Sequence, residues 1–198
     1  GTGAGPVITL GNNNLLQNFS ITGGSVGIGG TGINNFTLQN MSVNSLAGIA
    51  LTGVTGLGAI NNSSITSTAG TGIYIDNSLL PPGAFTLNTT GTSVNSTGGP
   101  AIDIDPLTLN AVFTSITATG GVNGIALDEV AGSFTVTGPV NISNTTGDGI
   151  SLVNSTAAVN FQGPVTISNP GDDGIEIDGP AAGTVSFVDV DILALGAN

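Results

Sequence analysis

The feature that most constrains this chain is a short pattern that returns along its whole length. The dipeptide Gly-Ile or Ala-Ile occurs in seven comparable positions, and in six of them the next residue but one is Ile or Leu, as in GIYI, AIDI and GISL. The intervals between these positions are 21 to 29 residues, about 24 on average. The pattern begins at Gly27, Gly48, Gly72, Ala101, Gly124, Gly149 and Gly174. A period of this length is typical of proteins built from stacked structural repeats.

Each repeat contains three short runs in which apolar and polar residues alternate. The first run follows the Gly-Ile pair, the second usually carries a Phe, as in Phe85-Thr86-Leu87, and the third is aliphatic, as in Val140-Asn141-Ile142. Alternation with a period of two predicts β-strands, and the Gly, Pro, Asn and Asp residues between the runs predict turns.

Three strands per repeat and a nearly constant repeat length predict an all-β chain folded as a right-handed parallel β-helix. We expect one domain over residues 1–198, with about eight rungs of about 24 residues, counting one rung before Gly27. Successive rungs would lie about 4.8 Å apart, with Ile above Ile and Phe above Phe inside. The right hand follows from the general rule for parallel crossovers. The alternative, an antiparallel sandwich, would give hairpin signals every 8 to 12 residues without the longer period.

The charge balance excludes several classes of partner. The chain has twelve acidic residues and no Lys, Arg or His, which gives a net charge of -12. Nucleic acids and anionic membranes are therefore not expected as partners, because both are bound through basic residues. There is no Cys for a disulfide or thiolate site, and no apolar run is long enough for a transmembrane helix. Because the sequence starts at Gly1 without an initiator Met, we expect a segment of a longer chain or a processed product.

The turns raise two structural expectations. We expect Asn44, Asn95, Asn144 and Asn169 to lie at or beside the corner after the third strand, where Asn tolerates a left-handed backbone. They either stack in a hydrogen-bonded ladder or are ordinary turn residues. The fourth repeat carries the insertion DNSLLPPGA between Ile75 and Phe85. In repeat proteins such an insertion forms a loop, which is either a tolerated bulge or part of a binding surface.

The repeat also arranges the acidic residues in columns. Asp76, Asp105 and Asp128 fall at one position of three consecutive rungs, and Asp173 falls above Asp148. Like charges one rung apart repel, and no basic residue is present to relieve the repulsion. The carboxylates could stay solvated and screened, could be protonated in an acidic medium, or could bind a divalent cation.

Calcium is the expected cofactor if these acids bind a metal. The candidate ligands are Asp172, Asp173, Glu176 and Asp178, or the pair Asp103 and Asp105. Ca²⁺ prefers carboxylate and carbonyl oxygens, but no stretch matches an EF-hand loop or a calcium-binding nonapeptide repeat.

The sequence offers little for catalysis. Carboxylate pairs such as Asp103 with Asp105 could serve general acid–base chemistry, but the chain has no His base, Arg or Lys to complete a site. We therefore expect a protein that is not an enzyme, with a polysaccharide-degrading enzyme as the least favoured alternative. Tyr74, the only Tyr, should face outward, where it is either ordinary surface or a platform for stacking a sugar.

The rungs GISLVNSTAAVNFQGPVTISN and GINNFTLQNMSVN resemble the β-helix repeat proteins of microbial cell surfaces. These include autotransporter passengers, filamentous-haemagglutinin-like adhesins and surface proteins with β-strand repeats. The resemblance covers essentially the whole chain and implies an extracellular or cell-surface location. It also implies a structural or adhesive role. The pectate lyases share the expected fold, but they use an Arg base that this chain lacks.

The ends of the expected β-helix suggest how the protein is used. A terminal rung has unpaired strand edges, which invite pairing with another chain, and no amphipathic capping helix is visible at either terminus. We therefore expect head-to-tail self-association into a cell-surface filament, stalk or sheath. The alternative is an adhesin or a carbohydrate-binding module of a larger surface protein, with a glycan or another host or surface ligand as its partner.

Overall fold

The computed structural model of the protein describes residues 5–179 and 183–193. These residues form twenty strands and no helix, and none of them could therefore cross a membrane as a helix. The strands are β1 Pro6–Thr9, β2 Asn14–Gln17, β3 Ser20–Thr22, β4 Val26–Thr31, β5 Asn34–Gln39, β6 Ser42–Ser45, β7 Ala47–Thr52, β8 Thr55–Asn61, β9 Ser64–Ser67, β10 Ile73–Asp76, β11 Phe85–Thr97, β12 Ile102–Asp105, β13 Thr108–Thr119, β14 Ile125–Asp128, β15 Ala131–Val136, β16 Val140–Ser143, β17 Ile150–Val153, β18 Ala158–Ser168, β19 Ile175–Asp178 and β20 Val185–Leu193.

The strands are stacked as a parallel β-helix of eight rungs. The first strands of the rungs form one eight-stranded sheet in the order β1-β4-β7-β10-β12-β14-β17-β19. The second and third strands form a second sheet, and the register pairs strands of successive rungs in parallel throughout the described residues. The predicted fold class is thus confirmed and the antiparallel sandwich is wrong. The hand of the helix stays a prediction from the crossover rule.

The number of strands per rung differs from the prediction in half of the rungs. Rungs one, two, three and six have three separate strands, as expected. In the other four rungs the second and third runs form one continuous strand, namely β11, β13, β18 or β20. The corner between the runs is replaced there by an irregularity, such as the register shifts between Thr89 and Thr92 and between Phe161 and Pro164. A bulge bends a strand without ending it, so the same turn of the chain is made inside one strand.

The core consists of aliphatic columns that run along the axis. The central residues of the main column, from Ile28 to Ile150, are essentially inaccessible to solvent. Each is in register with its counterpart in the next rung, and the column comprises Ile8, Ile28, Ile49, Ile73, Ile102, Ile125, Ile150 and Ile175. Each rung therefore depends on its neighbours to cover its apolar face, as expected for a solenoid.

The glycine that precedes the buried Ile in most rungs fits a closely packed position, and Ala101 takes its place before Ile102. A Cβ atom on Gly48 would overlap the carbonyl oxygen of Gly72 in the next rung and the side chain of Ile65. Gly149 faces the same two kinds of neighbour, the carbonyl of Gly174 and the side chain of Ile167. The recurrent Gly is thus explained by a close approach of the first strand to the third, and not by a left-handed backbone.

The four asparagines expected at or beside the corner after the third strand fall into two groups, of which one lies at the corner itself. Asn144 and Asn169 have φ of 55° and 53°, and the Asn169 side-chain amide donates to Oδ1 of Asn144 at 3.1 Å. Asn44 and Asn95 instead lie within β6 and β11. The strands continue past them because the next residues, Ser45 and Ser96, point inward and donate to the backbone carbonyls of Ala47 and Gly99. In the fourth rung the corner is made by Gly98, with φ of 79°.

Candidate functional site

The outer face of the first sheet carries the predicted column of carboxylates. Asp76 is in register with Asp105, and Asp128 ends the corresponding strand of the next rung. Asp103 lies beside Tyr74 in the neighbouring column. The second predicted stack is also present, since the backbone N–H of Asp173 donates to Oδ1 of Asp148 at 3.1 Å. The repeat therefore places these acids as the sequence predicted.

The column perturbs its own acid–base equilibria. Burial, followed by repulsion from Asp128, Asp76, Glu129 and Asp103, raises the pKa of Asp105 to about 6. Burial and then repulsion from Asp76 raise the pKa of Asp103. Both shifts arise because ionising these carboxyls adds charge in a poorly solvated position with no basic side chain nearby. In the described part of the chain, one buried oxygen of Asp128 also lacks a hydrogen-bond donor, which is consistent with a surplus of acceptors.

Asp76 is held in its ionised form by a local network. Hydrogen bonds from Ser78 lower the pKa of Asp76, and the Tyr74 hydroxyl contributes in the same direction. The backbone N–H of Ser78 donates to Oδ1 at 2.9 Å, and the Tyr74 hydroxyl donates to Oδ2 at 3.2 Å. Burial and the nearby Asp76 charge raise the pKa of Tyr74, which keeps its hydroxyl protonated and able to donate. The network fixes the tyrosine ring on the sheet surface.

Tyr74 borders a groove on the outer face of the first sheet. The groove has a volume of about 260 Å³ and its floor is formed by small residues of the preceding rungs, among them Gly29, Ala50 and Thr52. A second hollow of about 190 Å³ shares Thr31 and Thr52 with it and is bounded by Asp76 and Leu79. We refer to these two adjacent hollows together as the Tyr74 groove.

The insertion of the fourth rung forms one wall of the Tyr74 groove. Leu79, near the middle of the insertion, is 97% exposed, although it is an aliphatic residue. The start of the loop is anchored by Asn77, which is 2% exposed and whose Oδ1 accepts the backbone N–H of Val54 at 2.8 Å. The loop closes with a hydrogen bond from the Ala84 N–H to the carbonyl of Pro81. The anchored loop thus holds the exposed Leu79 side chain beside the groove.

The residues expected to bind calcium lie at separate places on the surface. Asp172 and Asp173 precede β19, whereas Asp178 ends it, about 17 Å along the strand from Asp173. The Glu176 carboxylate accepts a hydrogen bond from Ser151 at 2.8 Å. Asp103 and Asp105 lie three rungs away, about 14 Å along the axis. Among residues 5–179 and 183–193 no three acids lie close enough together to hold a metal ion, and calcium binding stays a prediction.

The two ends of the β-helix form a further candidate surface. Among the described strands, β1 pairs only with β4 and β19 pairs only with β17. Residues of the last rung are exposed at positions that are buried one rung earlier. Ile192 is 47% exposed whereas its partner Ile167 is 0% exposed, and Ile177 is 54% exposed whereas Leu152 is 2% exposed.

The outward position of Tyr74 and the inserted loop were predicted from the sequence, but the groove between them was not. Gly29, Ala50 and Tyr74 occupy one outward column in successive rungs. This succession of two small residues and a large one predicts a depression beside the tyrosine ring. The direction taken by the insertion could not be predicted, because it depends on the buried hydrogen bond between Asn77 and Val54.

Comparison of the chain with protein-family models, curated proteins and solved structures found no match.

Proposed function

We propose that the protein is an extracellular structural unit that associates end to end into a cell-surface filament, stalk or sheath. The supporting observation is the state of the core columns at the last rung. Ile177 and Ile192 continue buried columns but are about half exposed. Another rung placed on them would remove this apolar surface from water, with a gain of about 25 cal/mol per Å².

The first rung supplies a matching surface. Its strands β1, β2 and β3 each pair with only one described strand, on the side of the second rung. Ile8 and Leu16 are only partly buried, whereas their partners Ile28 and Leu38 are fully buried. Because the first and last rungs have the strand arrangement of the same repeat, the last rung of one copy can pair with the first rung of the next. Such a heterologous contact does not close on itself and generates a filament.

The composition suits an exposed structural role. The chain has no Lys or Arg, so it contains no cleavage site for trypsin-like proteases, and it has no Cys or Trp to be oxidised. Its backbone amides are largely engaged between rungs. We therefore place the protein outside the cell, where the same features protect it.

A pair of substitutions on one strand tests the proposal. Ile8→Lys places a charge on the inward, end-facing column of β1, whereas Val7→Lys places the same charge on its neighbour, which is 51% exposed. We expect wild type and Val7→Lys to form long particles in sedimentation velocity and negative-stain microscopy, and Ile8→Lys to stay short. Thermal unfolding of all three checks that the β-helix remains folded. Dispersed monomers of the wild type at every salt concentration and pH would contradict the proposal.

A further inference from the structure

The Tyr74 groove combines an aromatic ring with a floor of small residues. The floor lies below the ring because Ala50 is in register with Tyr74 and Gly29 is in register with Ala50. The Pro6 ring packs close to Gly29 at the lower end of the groove. The result is a shallow shelf with an aromatic wall, on a sheet whose backbone is held in register by its neighbours.

Hydrogen bonds fix the position of the Tyr74 ring in the absence of a ligand. The Tyr74 hydroxyl is hydrogen-bonded to Asp76, and Asp76 is in turn held by the backbone of Ser78. A side chain that is already fixed loses little conformational freedom when it contacts a ligand. The exposed face of the ring is therefore a preorganised apolar surface.

The remaining polar side chains of the groove carry oxygens. The Asp76 carboxylate and the hydroxyls of Thr31 and Thr52 line it, and Asp103 lies next to Tyr74 in the following rung. The Thr52 hydroxyl donates to that of Thr31 at 3.1 Å, and both oxygens keep capacity to accept hydrogen bonds. A ligand that fits must offer hydroxyl groups at its edge and an apolar face for the ring.

From this combination we propose that the Tyr74 groove binds a neutral sugar ring of a glycan. A pyranose has a face of C–H groups that can lie on the tyrosine and an edge of hydroxyls that can donate to Asp76 and approach the threonines. Acidic sugars are disfavoured, because the chain has a net charge of -12 and Asp76, Asp103 and Asp105 border or adjoin the groove. The site does not depend on end-to-end association of the protein.

The size of the groove limits the ligand to one or two rings. Its two hollows measure about 260 and 190 Å³, at or below the lower end of the range for pockets that enclose a drug-sized ligand. An open site of this size gives weak binding, in about the millimolar range. Several copies held together on a surface would bind a polymeric glycan more strongly than one copy does.

Tyr74 provides a direct measurement of binding. It is the only Tyr, and the chain has no Trp, so the intrinsic fluorescence of the protein comes from this one residue of the groove. We expect saturable changes of tyrosine fluorescence on titration with neutral oligosaccharides of glucose, galactose or mannose. Matched oligosaccharides of uronic acids should bind at least about tenfold more weakly.

A matched pair of substitutions locates the ligand. Ala50 and Ala126 occupy the same outward column, but only Ala50 lines the groove. Ala50→Leu fills the shelf and should weaken sugar binding by at least about tenfold, whereas Ala126→Leu should change it less than twofold. Both variants keep Tyr74 as the reporter, and circular dichroism checks that both are folded.

The outcome of this comparison decides the proposal. Selective loss of neutral-sugar binding in Ala50→Leu supports it. It is overturned if none of the neutral sugars changes the fluorescence, if uronic acids bind equally well, or if the two leucine variants behave alike. A failure of end-to-end association would leave these measurements unaffected, since they report on the side of the β-helix.

Discussion

Asp105 shows what a column of like charges does to a single residue. Its pKa of about 6 in the folded protein lies above the ordinary value of 3.8, so the folded state binds an extra proton between about pH 4 and pH 6. Stability from this group is therefore greatest below about pH 4 and is lost as the pH rises to about 6. At full strength the shift corresponds to about 3 kcal/mol, and screening of a partly exposed group reduces it to about 1 kcal/mol.

We predict that Asp105→Asn stabilises the protein at neutral pH and not at acidic pH. The amide removes the ionised carboxyl that Asp76 and Asp128 repel, while its shape is unchanged. The free energy of unfolding, measured by urea titration, should exceed that of wild type by about 1 kcal/mol at pH 7 and match it near pH 4. Asp172→Asn, at an exposed turn, makes the same change in net charge and serves as the control. An equal gain in both variants would show that net charge, and not the column, is responsible.

The positions of the acidic residues could be predicted from the sequence, whereas the backbone conformation of one of them could not. The repeat alone predicted that Asp76, Asp105 and Asp128 share a column, because register in a solenoid follows from the period. Glu129 could not be predicted to adopt φ of 52°, a conformation that its side chain does not favour. The corner column of its neighbours, Asn154 and Gly179, imposes that backbone. Local preference at Glu129 is thus overridden by stacking between rungs.

At the scale of the strand, β8 shows how a missing side chain can be part of the core. Gly58 of β8 lies in register between Phe36 of β5 and Leu87 of β11. Phe36 and Phe85, from the rungs on either side, stack across it with their ring centroids 5.8 Å apart and an interplanar angle of 26°. A Cβ atom on Gly58 would approach the Phe36 ring to 2.6 Å and the Phe85 ring more closely still.

We predict that Gly58→Ala destabilises the protein by about 1–3 kcal/mol, because the added methyl forces two packed rings apart. The backbone of Gly58 is not left-handed, so alanine itself causes no strain there. Thermal and urea unfolding measure the loss. Gly11→Ala is the matched control, since its nearest neighbour would be Oδ1 of Asn14 at 3.8 Å, and its effect should stay within about 0.5 kcal/mol. Equal stability of the two variants would contradict the packing argument.

The inward-facing residues of the strands could be predicted from the sequence, but the ends of β6 and β11 could not. Alternation predicted which residues point inward, and the buried columns confirm it. It could not show that a strand continues through Asn44 and Asn95, because the inward residue that follows each is a serine, which looks like a turn residue in sequence. These serines are buried only because nearby backbone carbonyls accept their hydroxyls. A polar residue that bonds locally to the backbone can therefore extend a strand.

At the scale of the whole molecule the charge is distributed unequally along the axis. Residues 1–75 contain no acidic residue, whereas residues 171–198 contain six of the twelve. Contact between two last rungs would bring these acids together, but contact between a last rung and a first rung would not. Charge repulsion therefore favours a head-to-tail arrangement, in which all copies point the same way, over a symmetric contact of two acidic ends.

Cysteine cross-linking distinguishes these arrangements, since the natural chain has no Cys. Thr9 and Glu176 begin and end one outward column, about 34 Å apart along one molecule, so a disulfide between them must join two copies. A head-to-tail stack that continues the register would bring them about 4.8 Å apart, a separation that suits a disulfide. We predict that Thr9→Cys with Glu176→Cys gives a ladder of covalent oligomers on mild oxidation in non-reducing gels. Each single variant should run as a monomer in the same gels. Cross-linked dimers of either one would instead indicate a symmetric contact.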